Sequence, residues 1–152
     1  MVNEYKVKIL DVVDGDTVDV DIDLGFGIIL TDERIRIMNI DAPESRTSDP
    51  VEKIFGYAAK NRLEELLGKE AILITHDDKH GEDMKGKFGR ILGDFKVDEG
   101  TVTEILVEEG HAVPYYGQNK ADIEVAHLSN RNRLMQEGVV DPNIVQQVMG
   151  GR

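Results

Sequence analysis

Thr17-Val-Asp-Val-Asp-Ile-Asp-Leu24 sets Val18, Val20, Ile22 and Leu24 on one side of an extended chain and Asp19, Asp21 and Asp23 on the other. Strict alternation is the period of a strand with one buried and one solvated face. Upstream, Tyr5-Lys-Val-Lys-Ile-Leu-Asp-Val-Val13 predicts a preceding strand. Downstream, Gly25-Phe-Gly27 predicts a turn or bulge, and Glu33 to Ile40 a third strand. Asp49-Pro50 then opens a helix, with aspartate as N-cap and proline at the first helical position, and Gly68 ends it. Ala71 to Thr75 and Arg90 to Val97 read as two further strands, joined by a polar loop.

Three more helices follow. Thr101-x-x-Glu104 is a capping box for one that Gly110 closes; Asp122 to Glu137 forms the next; Asp141-Pro142 starts a short last one, Asn143 to Met149. Three strands, a helix, two strands and further helices suit an α+β fold, a five-stranded OB-type β-barrel with three main helices packed on it and a short C-terminal helix. At 152 residues the chain fits one such domain, assigned here to residues 1–138, with 139–152 as a tail carrying the short helix.

Charged residues make up 32% of the chain and hydrophobic ones 40%, with only four Phe and four Tyr, so the core is mainly Val, Ile and Leu. Cysteine is absent, which excludes disulfides and thiolate metal sites. The N-terminal Met1-Val-Asn-Glu-Tyr-Lys lacks the apolar run of a signal peptide or membrane helix. It reads as an intracellular, cytoplasmic, membrane-free chain, although a secreted form trimmed of its signal would carry the same residues. The net charge of −12 opposes broad polyanion binding, because backbone affinity comes from Lys and Arg. Attraction to nucleic acid would have to be local, from metal and a few arginines.

Asp14-Gly-Asp-Thr17 precedes the alternating strand. Asp14 and Asp16 share parity with its apolar row, so a regular strand would aim both carboxylates at the buried face; a bulge at Gly15 would change that. A buried ionised carboxylate needs a cation or donors, and oxygen-only ligands suit Ca²⁺ or Mg²⁺. Asp-Gly alone more often marks a turn. Asp41-Ala-Pro-Glu44 downstream strengthens the metal reading. Arg36 and Arg90 offer planar, permanently charged donors to phosphate oxygens. Arg36 and Asp41 are an odd number of residues apart, so they can meet only if the third strand bends or ends between them.

The order and spacing of Asp14-Gly-Asp-Thr17, Arg36 to Glu44 and Lys87-Phe-Gly-Arg90 resemble the staphylococcal-nuclease (thermonuclease) family. The resemblance implies that barrel fold and a metal-dependent endonuclease acting on DNA and RNA with little sequence specificity and leaving 3′-phosphate ends. It implies Ca²⁺, or else Mg²⁺, held by Asp16, Asp41 and the Ala42 carbonyl, with Asp14 acting through a metal-bound water. It further implies Glu44 as the general base or water-orienting group, Arg36 and Arg90 as phosphate-gripping catalytic arginines, and Lys87, Tyr115 and Tyr116 as substrate-binding residues on a monomer. Two positions depart from the family: Ala42 replaces the usual threonine, and Phe88 a common tyrosine that binds phosphate.

Other readings compete. Asp19-x-Asp21-x-Asp23 imitates an EF-hand, but Leu24 and Leu30 stand where glycine and glutamate are required. Asp14-x-Asp16 is also similar to the aspartyl phosphotransferases, whose larger parallel sheet this meander does not supply. His76, His80, His111 and His127 lack ligand spacing and read as surface histidines. Paired tyrosines can simply pack against the barrel. A non-catalytic OB-type module that binds nucleic acid or protein is the main alternative function.

Overall fold

The computed structural model describes residues 2–77 and 90–150. Strands β1 (Val2–Asp14), β2 (Thr17–Gly25) and β3 (Ile28–Ile37) form a meander. A short β4 (Ile40–Asp41) and helix α1 (Pro50–Leu67) follow, then β5 (Glu70–His76), β6 (Ile91–Val97) and β7 (Gly100–Thr101). The remainder is α2 (Val102–Glu108), β8 (Val113–Pro114), α3 (Lys120–Gln136) and α4 (Pro142–Gly150). The sheet runs β3-β2-β1-β5-β6, and a parallel pairing of β3 with β6 closes it into a five-stranded ring. This is the expected α+β barrel. β4 and β8 pair separately beside it.

The alternating row behaves as its period demands. Val18, Val20 and Ile22 are buried with Ile35, Ile37, Leu73 and Phe95 inside the barrel, and Leu63, Leu66 and Leu106 cap it from α1 and α2. Burying each such side chain is worth about 1.5–3 kcal/mol. A second cluster, Phe55, Leu134, Val140 and Val145, joins α1 to α3 and α4. Asp49 caps α1 by accepting from the Val51 and Glu52 amides at 2.9 and 3.2 Å. No helix among the described residues is long and apolar enough to cross a membrane.

Strand β3 differs from the sequence expectation at both ends. β3 begins at Ile28, not Glu33, because the Gly25–Gly27 turn is tight enough for Ile28 to pair at once with Gly25. The arm bends at Asp32, which takes φ 52° and donates its amide to Asp21 Oδ1 at 2.8 Å. β3 also ends early, at Ile37: Asn39 adopts φ 64°, a left-handed position asparagine tolerates, and the chain turns before Asp41.

Candidate active site

The first acidic motif is a hairpin rather than a strand. Asp14 pairs with Thr17, and Gly15-Asp16 form the turn between them. Asp16 is therefore not strand-borne, yet it is buried, 9% exposed, because the β3–β4 turn and α1 close over it. Asp-Gly marks a turn here, and that turn places the Asp16 carboxylate in a buried position. Asp16 Oδ1 accepts from the Thr17 hydroxyl at 3.0 Å and Oδ2 from the Ala42 amide at 3.0 Å, with Arg36 Nη2 at 3.5 Å. Burial pushes its pKa up, against the pull of Arg36 and the two donors. Desolvation outweighs these partners.

Arg36 lies at the centre. Its Nη1 donates to the Ile37 carbonyl at 2.5 Å and its Nη2 to the Ile40 carbonyl at 2.9 Å. That grip follows the turn at Met38–Asn39, which resolves the parity conflict: Arg36 Nη2 stands 3.9 Å from Asp41 Oδ1 as well as 3.5 Å from Asp16. Arg34 has the same parity but points its guanidinium at Asp19 on the outer wall, at 2.8 and 3.1 Å.

The loop after Asp41 is fastened from two sides. Asp14 Oδ1 accepts from both the amide and the hydroxyl of buried Ser45, at 2.9 and 2.5 Å. On the other side α1 presents Gly56 and Ala59. A Cβ on Gly56 would come within 2.2 Å of the Glu44 carbonyl oxygen, and one on Gly15 within 2.8 Å of Ala59 Cβ and 3.0 Å of Ala42 Cβ. Small residues at these three contacts let the two acidic loops and the helix meet.

Glu44 stands exposed on this loop, its amide donating to Glu52 Oε2 at 3.0 Å. Its carboxyl pKa is raised by partial burial and then by Glu52, Asp14, Asp16 and Asp41. Arg90 immediately precedes β6 and shares the parity of Leu92, the residue paired with Arg36. Tyr115 hangs its amide on the Asn39 carbonyl at 2.8 Å, next to the β3–β4 turn. Tyr116 is 80% exposed, so it does not fill the core. Lys87, Phe88 and His80 lie outside the described residues.

Two histidines are not surface residues. His111 is buried, its pKa lowered by burial, with no hydrogen-bond partner on Nδ1. His127, from α3, stands with Nε2 2.7 Å from Asp41 Oδ2. Ser45, Gly56 and His127 escaped the sequence reading. Only Gly56 carried a local signal, since a glycine inside a helix costs roughly 1 kcal/mol and needs a reason.

Among the described residues no group of three or more His, Cys, Asp or Glu side chains is arranged to hold a metal ion. The side chains that flank Arg36 Nη2 are the carboxylates of Asp16 and Asp41, all oxygen. That set fits a hard divalent ion whose remaining positions are filled by water or substrate, and not a histidine- or thiolate-bound one.

Residues 34–138, which span Arg36, Asp41, Glu44, Arg90 and both tyrosines, match the family described as Staphylococcal nuclease homologue. The chain belongs to that family. As a staphylococcal nuclease homologue it has curated relatives with nuclease names. It is 29% identical over 119 residues to Endonuclease YhcR of Bacillus subtilis (strain 168), covering 74% of this chain but only 9% of that protein. Micrococcal nuclease of Shigella flexneri is 26% identical over 150 residues, 92% of this chain and 76% of its own. Thermonuclease of Staphylococcus intermedius is 31% identical over 109 residues, 71% and 57% respectively.

Proposed function

We propose that this protein is a metal-dependent nuclease that hydrolyses phosphodiester bonds in DNA and RNA with little sequence specificity, leaving 3′-phosphate ends. The observation that carries the reading is Arg36: one guanidinium nitrogen faces both Asp16 and Asp41, with Glu44 three residues beyond. A purely binding module has no physical need for two carboxylates, a third acid and a cation converging where a polyanion would sit. The family's nuclease-named relatives point the same way.

Asp16, Asp41 and the Ala42 carbonyl would hold Ca²⁺, or Mg²⁺ in its place. The bound ion supplies positive charge to the phosphoryl oxygens. Glu44 accepts the proton of the attacking water on its carboxylate. The water oxygen bonds to phosphorus opposite the 5′-oxygen as the P–O5′ bond breaks, and the departing 5′-oxygen takes a proton from solvent. Arg36 and Arg90 donate to the equatorial oxygens as charge accumulates there. Lys87 adds charge at the phosphate, while Tyr115 and Tyr116 offer stacking faces to the bases. Asp14 holds the Glu44 loop through Ser45.

Digestion of plasmid DNA and of RNA with Ca²⁺, Mg²⁺ or EDTA tests the reading. Cleavage with either divalent ion, abolished by EDTA, is expected, and the products should resist ligation until treated with both a 3′-phosphatase and a 5′-kinase. Cleavage undiminished by excess EDTA would sink the metal assignment. Binding without cleavage under every condition would return the chain to the non-catalytic module, which its −12 charge suits if the ligand is a protein.

A further inference from the structure

Asp41 is the more exposed of the two acids beside Arg36, with 35% of its side chain open to solvent. A carboxylate at the end of a two-residue strand turns about its side-chain bonds unless something holds it. Arg36 does not: its 3.9 Å approach to Oδ1 is too long for a hydrogen bond. His127 does, with Nε2 2.7 Å from Oδ2. An ionised carboxylate only accepts, so Nε2–H is the donor.

The histidine is itself anchored. Its side chain is 17% exposed and, with Pro43, Phe55, Gly110 and Leu134, lines a small crevice. One turn further along α3, Asn130 Nδ2 donates to the Ala112 carbonyl at 3.3 Å. Ala112 precedes Val113, the residue that pairs with Asp41 across β4 and β8. Helix α3 is thus tied to the Asp41 side chain and to the strand that holds its backbone.

We infer that His127 is a positioning residue for Asp41: it occupies Oδ2 so that Oδ1 faces the space shared with Asp16 and Arg36. This rests on the metal-binding reading above. The bond fixes which oxygen is presented and removes a rotation that ion binding would otherwise have to freeze. A ligand carboxylate held in this way binds its ion more tightly, and loss of such a partner typically weakens metal affinity about 10–100-fold.

Two variants of similar bulk separate this from simple packing. His127→Gln keeps a side-chain N–H near the position of Nε2, and His127→Met keeps volume but has no donor. Ca²⁺ binding to the full chain is measured by titration calorimetry, with melting temperature and kcat recorded on the same samples. His127→Met should weaken Ca²⁺ about 10–100-fold, and His127→Gln should recover most of it, with kcat at saturating Ca²⁺ nearly unchanged. A His127→Met variant that binds Ca²⁺ within twofold of the native protein, whatever its melting temperature, overturns the inference. A Gln variant as weak as Met overturns it too. If the native protein binds and cleaves while His127→Met is indifferent, only this inference falls; if the native protein neither binds Ca²⁺ nor cleaves, the functional reading falls with it.

Discussion

Toward the far end of β2, about 17–24 Å from Asp16 at ~3.4 Å per residue, lies a cleft of about 870 Å³ lined by Lys6, Lys8, Asp21, Asp23, Ile29 and Lys96 among others. The crevice beside His127 measures about 10 Å³. By volume and by number of charges, the far end looks more like a binding site. Its acids, however, are already spent. Asp21 Oδ1 accepts from the Asp32 amide and Asp23 Oδ1 from the Gly25 amide, each at 2.8 Å, so they build the arm and its turn. Lys8 and Lys6 stand directly across the β1–β2 ladder from them. Asp16 differs in kind: it is buried, its pKa is raised despite three partners, and it shares its arginine with a second acid. What distinguishes the two ends is a buried carboxylate that shares its arginine with a second acid, not charge density or room.

The sharpest way to break that comparison is to remove the shared cation. Arg36→Ala should lower kcat by about 10²–10³, the usual cost of one preorganised donor. Arg34→Ala, two residues away on the same strand, should leave turnover unchanged, because its exposed pair with Asp19 is worth only about 0–1 kcal/mol of stability. Equal losses in kinetic assays of the two variants would mean that parity and partners do not define the site.

Tyr116 sharpens the same contrast through substrate binding. Its ring is too exposed to support the core, so Tyr116→Ala should raise KM by an amount corresponding to about 1–3 kcal/mol. Melting temperature and kcat should hardly move. An unchanged KM with a lowered melting temperature would show a structural residue.

Gly56→Ala tests how the site end is assembled. The added methyl meets the Glu44 carbonyl carbon and oxygen, which are backbone and cannot rotate away. Denaturant unfolding should show a loss of about 1–3 kcal/mol, accompanied by reduced turnover. An alanine that stabilises the helix without affecting cleavage would contradict the close packing of loop on helix.

The smallest expected effect is a pH dependence of stability. Burial lowers the His111 pKa, so the unfolded chain takes up a proton near pH ~6.5 that the folded chain refuses. Its contribution is therefore complete above ~6.5 and lost as pH falls below it. Native melting temperature should decline from pH 7.5 to 5.5, and His111→Gln should flatten that window. Glu109, lowered by its bond to Arg62, acts only further down, below its ordinary carboxylate range.

The barrel was legible because β1 and β2 alternate and the helices carry their caps: Asp49, Thr101 and the glycines at 68 and 110 stand where helix ends require them. The start of β3 was not, since Ile28-Ile29-Leu30 is a continuous apolar run whose residues remain exposed on the arm. Asp16, Arg36 and Asp41 could be picked out by spacing, but the geometry joining them could not. It depends on a left-handed Asn39 and a hairpin turn that alternation does not encode. His127 and Ser45 were invisible for a simpler reason: they act across 86 and 31 residues of chain, with no periodicity connecting them to their partners.

The account stands most directly on one paired measurement, the initial rate of DNA cleavage in Ca²⁺ by Asp16→Asn and Asp21→Asn prepared side by side. Both changes remove one charge and keep the shape. The account predicts that Asp16→Asn falls to the level of the EDTA control while Asp21→Asn stays within twofold of the native rate. Comparable rates for the two variants, or a loss confined to Asp21→Asn, would contradict it.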